Sequence, residues 1–140
     1  MNEAVEDFRR LASGYCALIE RPERDRLELE EALMDVLPRL YLAGSALPLV
    51  EPATEDLLPD RPTDSEWFTV LQGLQEVLGK DLSSVADDLA DVWKDLKQGF
   101  LALESGAPEA DVVFSWRHDF TSHWGRHAVN ALAGVHDYYW

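Results

Sequence analysis

Two histidines four residues apart, His123 and His127, are the residues of this chain best suited to chemistry. With Asp119 they are spaced i, i+4, i+8, which on a helix makes one ridge of neighbouring side chains. A second set lies some thirty residues earlier. On a wheel of about 100° per residue, Asp88, Asp91 and Asp95 fall within roughly 60° of one another, and Asp87 points away. Two imidazoles one helical turn apart can share a cation. Carboxylates from a facing helix can complete the shell, as helical bundles do with inward-facing side chains. A divalent ion held by Asp88, Asp91, His123 and His127 is the resulting metal hypothesis, and its bound water would serve in hydrolysis. The spacing alone is unspecific, and no H-E-x-x-H motif is present.

The same residues have a structural reading. Val113, Trp116, Phe120, Trp124, His127 and Ala131 share one wheel face, which marks the buried stripe. His127 then reads as a core histidine bonded through one ring nitrogen to a backbone carbonyl. Arg117, at the edge of that stripe, would need a partner once desolvated. Asp88 or Asp95 would supply it as a buried ion pair. His118 points to the opposite face. Gly125 sits mid-helix at a cost of about 1 kcal/mol against alanine, which suggests close approach by another helix or a ligand.

Five amphipathic segments must position these groups. The first, Glu3 to Glu20, carries Phe8, Leu11, Tyr15, Leu18 and Ile19 on one face and stops at Pro22. The second runs from about Asp25 to Ala43, with Pro38 predicted to kink or split it near Leu37. A proline-rich surface loop spans about 47–63. Thr63 and Glu66 read as a capping box opening a third helix, Asp64 to Leu78, that Gly79 ends. The fourth starts at Ser83 or Ser84 as N-cap and reaches Glu104. The fifth runs from Pro108 to about Val135. The run Glu28, Glu30, Glu31 reads as a solvated face. Trp67, Trp93, Trp116 and Trp124 lie on or near apolar stripes, where core packing is the ordinary role of tryptophan. The tail Tyr138-Tyr139-Trp140, past the regular pattern, is expected to dock on the bundle; an undocked tail would suit a homodimer. The fold expected is all-α, a single-domain up-and-down bundle of four to five helices.

Twelve basic against 27 acidic residues leave a net charge of -15. That disfavours a nucleic-acid binder, whose affinity comes from Lys and Arg displacing counterions. It equally disfavours an anionic membrane surface. The lone Cys16 lies in an amphipathic pattern and reads as a buried structural thiol. No signal-peptide pattern or transmembrane stretch is visible, so the location expected is cytoplasmic. Phosphate-binding glycine loops, G-x-S-x-G and C-x-x-C are absent from the sequence.

The strings DDLADVWKDLKQG and SWRHDFTSHWGRHAVNAL, with RRLASGYCALIE and LPRLYLAG, resemble a bacterial family catalogued as domain of unknown function 5063. The resemblance implies a small helical bundle in a bacterial cytoplasm and carries no activity to transfer. Its characteristic positions would be Asp87, Asp88, Asp91, Asp95, Trp116, Arg117, His123, Trp124, Gly125 and His127. Two functions remain. The first is an interaction module with a protein partner and no required cofactor. In it, the cluster of Asp88, Asp91, Asp95, Trp116, Arg117, Asp119, His123, Trp124 and His127 is structural or partner-facing. The rival is a hydrolase-type enzyme dependent on a divalent metal ion at that cluster.

Overall fold

In a computed structural model that describes residues 2–54, 58 and 61–139, the chain folds as α1 (Glu3–Glu20), α2 (Arg26–Ser45), α3 (Asp64–Leu78), α4 (Ser83–Glu104), α5 (Glu109–Asp119) and α6 (Gly125–Tyr139). No strand occurs among the described residues. The helix starts are chemically marked. Asn2 accepts from the Ala4 amide and Asp25 from the Glu28 amide. Thr63 and Glu66 form the expected reciprocal capping box, satisfying amides that a helix start leaves orphaned. α4 departs from expectation. A 3₁₀ turn at Lys80–Leu82 leads into it, and no side chain caps its first turn. α2 runs unbroken through Pro38 rather than splitting near Leu37.

The segment expected as one regular helix is helical from Glu109 to Tyr139 but contains a π turn, Phe120–Trp124, between α5 and α6. The helix also extends past Val135, so the aromatic tail through Tyr139 continues the helical pattern. Tyr138 is exposed, and Trp140 lies outside the described residues.

α4 is the centre of the bundle, packing on α1, α3, α5 and α6, while α2 packs on α1 and α6. Its pairings give directions. Asp91 meets Trp67 and Lys94 meets Asp64, so α3 runs antiparallel to α4. Leu96 meets Trp116 and Asp88 meets His127, so the α5–α6 rod is antiparallel as well. The core gathers Phe8, Tyr15, Leu33, Leu40, Leu74, Leu89, Leu96, Trp116 and Trp124 from these helices. Burial of each large apolar side chain stabilises by roughly 1.5–3 kcal/mol. Phe8 lies between the two indoles, with ring centroids 5.1 Å from Trp116 and 5.8 Å from Trp124. Trp116 donates Nε1–H to the Leu96 carbonyl and Trp124 to the Trp116 carbonyl, so neither buried donor is orphaned. Trp116 fits because position 99 is glycine: a Cβ there would stand 2.2 Å from its Nε1.

Glu30 corrects the solvated-face reading. It is buried and accepts from Arg26 Nε at 3.0 Å, whereas Glu28 and Glu31 are exposed. Cys16 is buried as expected, and burial pushes its thiol up to about 12. Residues 53 and 54 are held by Asp111, whose carboxylate accepts from the Ala53 and Thr54 amides and the Thr54 hydroxyl. Residues 55–57, 59 and 60 of the expected loop lie outside the described residues.

Candidate metal centre

The antiparallel packing of α4 against the α5–α6 rod places each histidine on a different aspartate. His123 Nδ1 lies 2.7 Å from Asp95 Oδ2, and His127 Nδ1 lies 2.7 Å from Asp88 Oδ1. A carboxylate has no proton to give, so both imidazoles donate through Nδ1–H. In the neutral ring that tautomer leaves Nε2 with its lone pair. Asp91, between Asp88 and Asp95 on α4, is held by the third helix. Its Oδ1 accepts from Trp67 Nε1 at 3.1 Å, and its Oδ2 stands 3.6 Å from His127 Nε2.

One ligand atom from each of Asp91, His123 and His127 lies within 4.8 Å of the other two. The two rings sit 4.7 Å apart, edge to face. Ligands around an ion at about 2.1 Å stand roughly 3–3.5 Å apart, so movements on the order of 1 Å would close the set. The cluster opens to solvent on one side, with the His123 side chain 46% exposed and that of His127 25%. Asp88 and Asp95 sit beneath them, and burial pushes both carboxyls above the usual range against the pull of their histidine hydrogen bonds.

The π turn sets this geometry. It places His123 inside a wider turn of backbone, where the Gly125 amide bonds to the Phe120 carbonyl. A Cβ at 125 would stand 2.3 Å from that carbonyl oxygen. Gly125 is therefore required by the helix's own turn rather than by a neighbouring helix. Such turns recur at functional sites.

A family model described as Domain of unknown function (DUF5063) matches residues 1–139. The chain belongs to that family. The DUF5063 chain is also similar to a crystal structure of protein BF1032 from Bacteroides fragilis. The two are 25% identical, with a TM-score of 0.91 over 100% of this chain and 97% of that one. No curated protein matches the sequence.

The remaining cluster residues separate by role. Trp116 and Trp124 are core residues. Asp119 accepts from Ser115 at 3.3 Å and shares no hydrogen bond with His123, although its carboxyl, too, is pushed up by burial. Asp87 and His118 are exposed, and His118 stacks on Phe114. Arg117 does not brace the aspartates. It turns toward α2 and the 49–51 segment, lies over the Phe120 ring and donates to Thr121 Oγ1 at 2.7 Å. Nor is His127 bonded to a backbone carbonyl: its two ring nitrogens face Asp88 and Asp91. The residue that sequence reasoning missed is Trp67, placed there in the core. Its offset from Asp91 across two helices has no sequence signature. No helix among the described residues is long and apolar enough to cross a membrane.

Proposed function

We propose that this chain binds a divalent transition-metal ion through Asp91, His123 and His127. The carrying observation is that both histidines are fixed at Nδ1 by separate carboxylates, while Nε2 of His127 faces the Asp91 carboxylate and a ring nitrogen of His123 lies within 4.8 Å of that pair. Carboxylate–histidine–metal relays of this kind fix ring orientation and raise ligand basicity. Two imidazoles and one carboxylate suit zinc, iron, manganese or nickel better than calcium or magnesium, which favour all-oxygen shells. Asp88 serves as an orienting group in this arrangement, not as a fourth ligand.

Three protein ligands on an open face leave coordination positions for water or substrate. That is the arrangement of catalytic rather than structural sites. A water so bound would be acidified toward neutrality, supporting hydrolytic chemistry. The test uses tag-free protein stripped of metal and titrated with zinc, manganese and nickel by calorimetry, with melting followed in parallel. One equivalent should bind and raise the melting temperature by mass action, and His127→Ala should abolish both effects. Equal responses from wild type and variant would overturn the proposal.

A further inference from the structure

Among the described residues, Arg117 is a cation without a counter-ion in a chain of net charge -15. Among the described residues it pairs with no carboxylate, and its Nε is buried with no hydrogen-bond partner. Two cavities, of about 370 and 390 Å³, adjoin it, and both are lined by Arg117 and Thr121. The first is walled by Leu49, Val50 and Phe114, the second by Tyr41, Phe120 and Arg126. Glu51 is the one carboxylate among the residues that line them. Arg126 likewise makes no ion pair among the described residues, and it is exposed. His123 and His127 face α4, so this groove is separate from the metal centre.

We infer that this groove binds a small organic carboxylate with an apolar body, its anion on Arg117 and its body against the aromatic walls. A guanidinium in a half-buried setting is worth most when paired with a planar carboxylate, which it can meet with two parallel N–H donors. Arg117 has one Nη already fixed by Thr121 and its face on Phe120, so the fork is pre-positioned at little further entropic cost. Arg126 adds a second positive charge at the second cavity and attracts the anion past the acidic remainder of the surface. The volumes suit small-molecule sites, and their walls are apolar with a few convergent polar groups. A bare inorganic anion would use the guanidinium and leave those walls in water.

The test is a titration of ¹⁵N-labelled, metal-stripped protein with 4-phenylbutyrate, following the Arg117 Nε–H signal and the Thr121 amide. Both should move saturably. The uncharged 4-phenylbutyramide should bind weaker by about tenfold or more, because it loses the charge-assisted pair. Inorganic phosphate should also bind more weakly. Arg117→Gln should lower carboxylate affinity by about tenfold or more. Arg126→Gln, an exposed change that leaves the core intact, should lower it by a smaller factor. Absence of a saturable shift, equal binding of the amide, phosphate binding as tightly as phenylbutyrate, or unchanged affinity in Arg126→Gln would each overturn the inference. Neither outcome depends on whether Asp91, His123 and His127 hold a metal.

Discussion

Asp88 and Asp91 lie one helical turn apart on α4, yet they meet different atoms of the same imidazole. Asp88 takes the Nδ1–H of His127, and Asp91 faces its Nε2. The two should therefore respond differently to the same change. Asp91→Asn removes the anionic ligand and should nearly abolish binding of zinc or manganese. Asp88→Asn keeps an oxygen that can accept from Nδ1–H but loses its charge. It should weaken binding by about 10–100-fold, the usual cost of a lost outer-shell partner. Isothermal titration with both variants checks this ordering; an Asp88→Asn protein that binds as tightly as wild type would remove the orienting role. The grouping of these residues was legible from helical spacing, because one ridge and one facing arc follow from 3.6 residues per turn. The division of labour was not. It depends on which ring nitrogen meets which carboxylate, and a shift of about one helical turn in interhelical register would exchange the partners. Arg117 illustrates the same limit. Its place at the stripe's edge was readable, but whether an edge residue leans toward α4 or α2 is decided by packing.

Five helical segments and most boundaries followed from periodicity and from the signals at Thr63 and Gly79, whereas the caps Asn2 and Asp25 became visible only in the structure and the fifth segment is divided into α5 and α6. The π turn had no such marker, because one wider turn displaces the pattern by a single residue and leaves the apolar stripe continuous. Its trace was Gly125, a costly residue in mid-helix whose reason became visible only beside the Phe120 carbonyl. Gly125→Ala should force that turn toward regular α geometry or strain it. Either way, destabilisation of about 1–3 kcal/mol is expected, as for overpacking, with a matching fall in melting temperature. Metal affinity should fall with it, since His123 lies inside the turn. Gly99→Ala is the control of equal size away from the ligands. It should cost a similar amount by displacing the Trp116 indole. Melting curves and metal titrations of the pair separate the two effects: loss of metal binding in Gly99→Ala but not in Gly125→Ala would contradict this assignment.

At the scale of the whole molecule, the charge of -15 and the buried carboxyls act together. Asp88, Asp95 and Asp119 all have carboxyls pushed up, in each case mainly by burial. A carboxyl raised in the folded state holds its proton more tightly there than in the unfolded chain. Acidification from neutrality through those raised values therefore stabilises the fold, and it also relieves self-repulsion of the acidic surface. Asp111 works in the opposite sense. The Thr54 hydroxyl, with the Thr54 and Ala53 amides, holds its carboxyl below the usual range. Its contribution is complete above the ordinary carboxylate value of about 3.9 and is lost as pH falls further, releasing the loop from α5. Metal-free protein should then gain melting temperature as pH falls from 7 toward the ordinary carboxylate value, and lose it again below that value, about 3.9. The increment given by zinc should move the other way across the upper interval, because ligands must be deprotonated to bind. Melting temperatures measured from pH 7 to 3, with and without zinc, carry both signs at once. A metal-free melting temperature that only falls on acidification would show that burial of these three aspartates costs less than their pairing returns. The histidine–carboxylate pairs would then be bonds that stabilise the fold for themselves, and the metal reading would lose its physical reason for holding them there.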